Sequence, residues 1–381
     1  MSAGRLVRAF SAAAGAVMLA GLAGCSVSHD MRTMDNHGSG VRTGWREPGQ
    51  RGEESECAAR VGPVQWIGPQ READRRALAD WCAAAGPPVW RPIPDRRIES
   101  GEGARALMVV TWNVHVGGGD LPGFLADAFG WDCDAPRPSL AGGPFVLLVQ
   151  EAFRASEVVP EVPEGARVAD RIAEEPPAGP RLDIVHAAER CGLSLLYVPS
   201  MRNGRAAGEL GRADRGSAIL STLPLLDPVG IELPLEAQRR VVVAATVTGP
   251  GGEPLRLASV HLDVAGNLLR VLGTGGSMRV RQAEGLTEAL DLLDPDRALP
   301  TVVAGDMNTW SASETVILRM LRAYPDSPDP GDGQTRGSWP ADHIFFRAGD
   351  GRFELVDGSY VILESDYGSD HRPRRFVLRW P

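Results

Sequence analysis

The chain of 381 residues contains no lysine: all 40 of its basic residues are arginine, set against 49 Asp and Glu, for a net charge of -9. Beside 45 glycines and 30 prolines, the missing lysine is what a GC-rich coding bias produces, and it carries no functional message. The acidic balance does carry one, because a negative surface works against non-specific binding to a polyanion such as duplex DNA. Aromatic residues are scarce, at 6%, and no exposed aromatic hairpin can be pointed to in the sequence. Beyond the N-terminus no apolar run is long enough to cross a bilayer, and no segment repeats. Zincin, P-loop and G-x-S-x-G patterns are missing, which removes the zinc-protease, P-loop NTPase and serine-hydrolase readings. The cysteines are too scattered, and the histidines too few at ligand spacing, for a zinc site.

What is present begins with Arg5 and Arg8 ahead of a small-residue apolar run from Ala9 to Ala23, which suits a secretory signal better than a membrane span. Leu22-Ala23-Gly24-Cys25 resembles a bacterial lipobox, which implies a lipoprotein signal over residues 1–25 with Cys25 lipidated. An ordinary cleaved signal or a short anchor is the alternative, and either exports the protein. The expected location is therefore outside the cytoplasm, on the periplasmic or outer cell-surface side, held to a membrane by an N-terminal lipid. Residues 26–55 are rich in Gly, Ser, Arg and Asp, bury too little apolar surface to offset the entropy of ordering, and read as a flexible tether. In an exported chain Cys57 and Cys82 are disulfide candidates that would staple the extension 56–105 onto the domain that follows. Free thiols or metal ligands are the alternative, and whether Cys133 and Cys191 pair is left open.

From residue 106 apolar strand-like runs alternate with helical patterns. "ALMVVTWNVHV" (106–116), "PFVLLVQE" (144–151), "LSLLYVPS", "GSAILST", "RRVVVAATVTG", "LRLASVHLD", "PTVVAGD", "DHIFF" and "RRFVLRW" read as strands. "DIVHAAERCG", about Met278 to Leu293, and "SETVILRMLRAY" read as helices. This interleaving points to an α/β arrangement of stacked sheets covered by helices. The loops 201–216, with four arginines, and 265–278, rich in glycine, read as a solvated loop and a loop over the site.

Polar residues cluster where those runs end. Asn113, Glu151, His261, Asp306 with Asn308, and Asp370 with His371 each fall just past an apolar stretch, where a rigid scaffold mounts functional groups. Glu151 and Asp370 are hard oxygen donors and Asn113 adds a neutral one, a set that suits Mg²⁺ or Mn²⁺. A divalent cation held this way is the usual partner of a phosphate. His261 and His371 can donate hydrogen bonds or protons, Asp306 can orient and deprotonate a water, and Asn308 can present an amide.

Taken in order, "TWNVH", "VQE", "DRGSAILST", "VHLD", "VAGDMNT", "DHIFF" and "GSDHRP" resemble the endonuclease/exonuclease/phosphatase superfamily, the deoxyribonuclease I-like fold. The resemblance covers 106–381 and implies a four-layer α/β sandwich, two mixed β-sheets packed face to face with helices outside. It also implies a Mg²⁺- or Mn²⁺-dependent phosphoesterase, most simply a phosphodiesterase of nuclease type. Carried over by residue, Asn113, Glu151 and Asp370 would serve the metal. His261 and Asn308 would hold the phosphate, Asp306 would activate the water, and Asp342 would orient the catalytic His371. Met307 stands where many members have Phe, an exchange of one apolar filler for another. Nucleic acid, a phospholipid of the sphingomyelin kind and an inositol phosphate all remain possible substrates. A catalytically silent binding lipoprotein is the contrasting reading, and a monomer is the expected state.

Overall fold

Runs of Val, Leu, Ile and Ala become strands, and the strands sort into two sheets. The computed structural model describes residues 31–34, 63–93, 105–135, 143–161, 180–203, 212–264, 275–350 and 353–381. Cys25, Cys57, most of the tether and the centres of the arginine-rich and glycine-rich loops lie outside the described residues.

In chain order the strands are β1 (Met31–Met34), β2 (Gln65–Pro69), β3 (Val89–Arg91), β4 (Ala106–Asn113) and β5 (Phe145–Ala155). Then come β6 (Ser194–Arg202), β7 (Ala213–Ser221), β8 (Leu226–Glu232), β9 (Val241–Thr248) and β10 (Pro254–His261). The series closes with β11 (Thr301–Asp306), β12 (Asp342–Arg347), β13 (Glu354–Leu355), β14 (Val361–Ile362) and β15 (Arg374–Arg379). The helices are α1 (Glu72–Ala84), α2 (Leu121–Phe129), α3 (Ile184–Cys191), α4 (Gly275–Leu293) and α5 (Thr315–Ala323).

One sheet runs β1-β2-β8-β9-β10-β11-β12, the other β13-β15-β4-β5-β7-β6-β3 with β14 beside β15. Both are mixed, with parallel pairs β2–β8 and β10–β11 in the first and β4–β5 in the second. Between the sheets lies a layer of buried side chains that includes Val109, Leu148, Ile219, Val243, Leu257, Val302 and Phe376. On the outer face of the first sheet Ala258, Val303 and Phe345 pack against Leu286 and Leu290 of α4 and Ile317 and Met320 of α5. On the outer face of the second, Val110, Leu147 and Leu195 pack against Phe124 of α2 and Ala188 of α3. Alternate residues of each strand thus face opposite apolar layers, which gives the four-layer sandwich. Each fully buried Val, Leu or Phe contributes roughly 1.5–3 kcal/mol.

The expected boundary at residue 106 moves. β2 joins the first sheet parallel to β8, burying Trp66 and Ile67, and β3 joins the second sheet beside β6. The described part of the extension therefore adds one strand to each sheet, and its short apolar run "VQWIG" is as much core as the longer ones. Four residues of the presumed tether, Met31–Met34, form an edge strand antiparallel to β2. Cys82 is disulfide-bonded, and Cys133 pairs with Cys191. That second bridge ties the segment after α2 to the end of α3.

Candidate active site

Register brings the polar strand ends together. His261 of β10 is paired with Asp306 of β11, and Asp306 with Asp342 of β12, so three side chains from adjacent strands share one face. Close approach is required just before Asp306, because a Cβ on Gly305 would collide with the Val260 carbonyl oxygen. Across the inter-sheet space, Ser259 of β10 donates to the Val149 carbonyl at 3.0 Å and accepts from Gln150 of β5 at 3.0 Å. This polar bridge sets Asn113, the register partner of Gln150, opposite the β11 end.

Asp306 is the centre. Its Oδ2 accepts from Asn113 Nδ2 at 3.0 Å, and its Oδ1 accepts from the Asn308 N–H at 2.7 Å. His261 Nε2 lies 3.5 Å from Oδ2, and His371 Nε2 lies 3.7 Å from it. Burial pushes the Asp306 pKa up to about 6; His371 and the two hydrogen bonds pull it back, while Asp342 adds to the rise. Such a carboxylate is ionised at neutral pH yet basic enough to accept a proton.

His371 is fixed from several sides. Its Nδ1–H donates to Asp342 Oδ2 at 2.7 Å, its backbone N–H donates to Ser369 Oγ at 3.1 Å, and its carbonyl accepts from Trp112 Nε1 at 3.0 Å. Ser369 Oγ in turn donates to the Asn113 carbonyl at 2.7 Å. Burial works against a charged imidazole, but Asp342, Asp306 and Asp370 outweigh it and push the His371 pKa up to about 9. Asp342 is buried as well; that alone would raise its pKa, yet the charge and hydrogen bond of His371, with help from Thr335 and Arg374, hold it below the ordinary carboxylate value. The pair is therefore an imidazolium on a carboxylate. Asp306, Asp342 and His371 place donor atoms within 4.8 Å of one another. With Nδ1–H already spent on Asp342, this trio is better suited to proton handling than to ligating an ion.

The oxygen donors for a cation lie beside it. Glu151 is buried and adopts φ 54°, at a β-bulge where the β5–β7 register shifts between Val149 and Ala152. It does not follow the strand's end, as its sequence position suggested, because β5 resumes and runs to Ala155; the bulge re-aims the side chain instead. Asp370 is partly exposed, with Oδ1 3.9 Å from His371 Nε2 and 4.0 Å from His115 Nδ1. Asn113 Oδ1 accepts from the His115 N–H at 3.0 Å and keeps a second lone pair. Asn308, in the left-handed region at φ 52°, donates Nδ2 to the Leu262 carbonyl at 2.8 Å. Met307 is fully buried in the outer apolar layer, the filler role expected of it.

Two residues were not placed in the site from sequence. His115, at φ 48° in the turn after β4, lies beside Asp370. Arg336 meets Asp370 Oδ2 at 2.8 Å; burial would lower its pKa, but Asp370, Asp306 and Glu151 hold it above the ordinary value. No apolar run flags Arg336, which sits in "TRGSWPAD". Tyr197 and Arg215 lie elsewhere as structural residues: Tyr197 donates to Asp214 Oδ1 at 2.8 Å, and Arg215 reaches the Met201 sulfur at 3.7 Å.

The sequence profile of the Endonuclease/Exonuclease/phosphatase family matches residues 69–371. Among curated proteins none matches this chain. Among solved structures the chain is similar to an endonuclease/exonuclease/phosphatase from Beutenbergia cavernae DSM 12333, at 19% identity and a TM-score of 0.48, over 72% of each chain. It is similar to the human Nocturnin catalytic domain with bound sulfate anion, at 16% identity and 0.48, over 76% of this chain and 98% of that one. It is also similar to sphingomyelinase C from Streptomyces griseocarneus, at 14% and 0.43, over 72% and 99%.

Proposed function

The chain belongs to the endonuclease/exonuclease/phosphatase family and is a metal-dependent hydrolase of phosphoester bonds; from that premise we propose that it hydrolyses phosphodiesters by attack of a water activated at Asp306. The observation that carries the proposal is the pair Asp306 and His371, 3.7 Å apart, the first raised to about 6 by burial and the second to about 9 by the carboxylates around it. Asp306 accepts the water's proton, held in place by Asn113 and the Asn308 N–H. His371, charged and braced on Asp342, donates to a phosphoryl oxygen, and His261 provides a second donor. Glu151 and Asp370, with Asn113 Oδ1, are the hard oxygens that would hold Mg²⁺ or Mn²⁺, which when bound neutralises charge on the phosphoryl oxygens. A competent residue type at every one of these positions speaks against a catalytically silent binding protein.

The leader and Cys25 are the basis for placing the enzyme outside the cytoplasm on a lipid anchor, and Cys25→Ser should release it from the membrane fraction. An anchored enzyme also meets phospholipids, which makes a sphingomyelin-type lipid the second substrate reading, ahead of inositol phosphates. The test is hydrolysis of bis(p-nitrophenyl) phosphate by the purified chain with Mg²⁺ or Mn²⁺, abolished by EDTA, followed by a panel of single-stranded and duplex DNA, RNA, sphingomyelin and inositol phosphates. Absence of metal-dependent turnover on every member of that panel would refute the proposal.

A further inference from the structure

Two tryptophans on the loops that carry Asn308 and Asp342 have much of their surface in solvent, Trp310 at 42% and Trp339 at 45% exposure. Their ring centroids are 6.1 Å apart and their planes 35° apart, so they form one continuous aromatic surface. Both are tied to the catalytic floor by the chain itself: Trp310 follows Asn308 by two residues, and Trp339 precedes Asp342 by three. Thr309 Oγ1 donates to the Pro340 carbonyl at 2.6 Å and locks the two loops together. The Trp339 loop is closed on itself, because the Thr335 and Arg336 N–H groups donate to the Trp339 carbonyl and the Trp339 N–H to the Arg336 carbonyl, with Gly337 at φ 53°. That short loop sends Trp339 outward and Arg336 inward, where its guanidinium meets Asp370 at 2.8 Å.

We propose that Arg336 and the Trp310–Trp339 pair form a nucleotide-binding rim, on which a phosphate meets the guanidinium and an unpaired base stacks on the indoles, so that the substrate is single-stranded nucleic acid. The proposal deepens the phosphodiesterase reading above and rests on it. The rings stand on the two linked loops that carry Asn308 and Asp342, so a base lying on them would belong to the same chain as the phosphate that Arg336 meets. A base offers its flat face only when unpaired, since a duplex keeps both faces in the stack. Guanidinium and aromatic face side by side are the chemistry that reads a phosphate joined to a base. A bilayer-seating patch would instead need a broad apolar face, and this one is bounded by Arg336 and by Glu314, whose carboxylate accepts the backbone N–H of Trp310 at 2.6 Å.

The test uses the full chain carrying Asp306→Asn, which keeps the oligonucleotide whole, with Mg²⁺ and a fluorescent label read by anisotropy. Trp339→Ala and Trp310→Ala should each weaken binding of a ten-residue oligothymidylate about five- to hundredfold, and leave unchanged the binding of an abasic oligomer with the same phosphates. Trp→Phe at either position should restore most of the loss, and Arg336→Gln should weaken both oligomers. Equal losses on both oligomers, or none, would overturn the stacking role. Loss of binding to phosphatidylcholine–sphingomyelin vesicles without loss on the oligothymidylate would assign the rim to a membrane and overturn it as well. A base-dependent loss in a chain that hydrolyses no phosphodiester would sustain the rim as a binding site while removing the catalytic reading.

Discussion

Among the charged residues that the sheets set directly opposite one another across neighbouring strands, two buried pairs stand in contrast. On β5 and β7, Arg154 faces Asp214; on β11 and β12, Asp306 faces Asp342. All four side chains are buried. The first pair is matched and saturated: Arg154 Nε donates to Asp214 Oδ1 at 3.0 Å, and Asp214 also accepts from Tyr197 Oη at 2.8 Å and the Gly86 N–H at 2.7 Å. The second pair sets like charges face to face, which a sheet ordinarily avoids, and draws His371 and His261 around it. One arrangement contributes to a specific fold by leaving no charge uncompensated; the other holds an excess of acid that becomes useful when a proton, a cation or a phosphate arrives. Burial alone does not separate structure from function in this protein. The sign of the facing charges does.

The largest effect should follow from His371→Ala, which removes the cation between the two facing carboxylates: turnover of a phosphodiester should fall about 10²- to 10⁴-fold, with the near-ultraviolet circular dichroism unchanged. Asp214→Ala should do the reverse. It leaves the Arg154 charge buried without its carboxylate and should cost about 3–5 kcal/mol in urea unfolding, while turnover per folded molecule stays at the wild-type value. If that variant unfolds at the wild-type midpoint, the contrast between the two pairs is wrong. Smaller again is Ser369→Ala, which deletes the hydroxyl joining His371 to Asn113. Each lost hydrogen bond is worth about 1 kcal/mol, close to a factor of five in rate, seen in kcat with KM unmoved. An effect confined to KM would show that Ser369 does not position His371.

A separate prediction concerns acid stability. His343 is buried beside Asp342, with Nε2 2.7 Å from the Pro340 carbonyl, and burial together with Arg374 pushes its pKa down to about 3. The unfolded chain takes up a proton on this ring near the ordinary value of 6.5 while the folded chain does not, so stability should decline as pH falls from about 6.5 toward 3. His343→Gln, which retains a donor toward Pro340, should flatten that part of the profile of urea midpoint against pH. An unchanged slope would assign the acid lability to other groups.

Much of the candidate site was legible in the sequence because its polar residues lie at the ends of apolar strands, so that Asp306, His261 and His371 stood out against "TVVAG", "LRLASV" and the approach to "RRFVLRW". Other features were hidden for physical reasons. Helix α2 begins at Leu121-Pro122-Gly123, which reads as a turn, although Asp120 accepts from the Gly123 N–H and Gly130 closes the helix in the left-handed region. Strand β8 is interrupted in sequence by Pro228 and Gly230. Whether Glu151 ended a strand or sat in a bulge depended on pairing with β7, which no local pattern encodes. Arg336 was invisible for a similar reason: its place beside Asp370 follows from closure of the Thr335–Trp339 loop, and the exposed tryptophans of that rim are spread over two loops rather than one hairpin.

The most direct measurement is the Mg²⁺-dependent turnover of bis(p-nitrophenyl) phosphate by Asp306→Asn beside the wild type, at equal concentrations of folded protein. The expected result is a loss of about 10²- to 10⁴-fold with an unfolding midpoint no lower than wild type, since the substitution removes a buried charge facing another of the same sign. A variant that retained wild-type turnover would contradict the assignment of Asp306 as the group that activates the water.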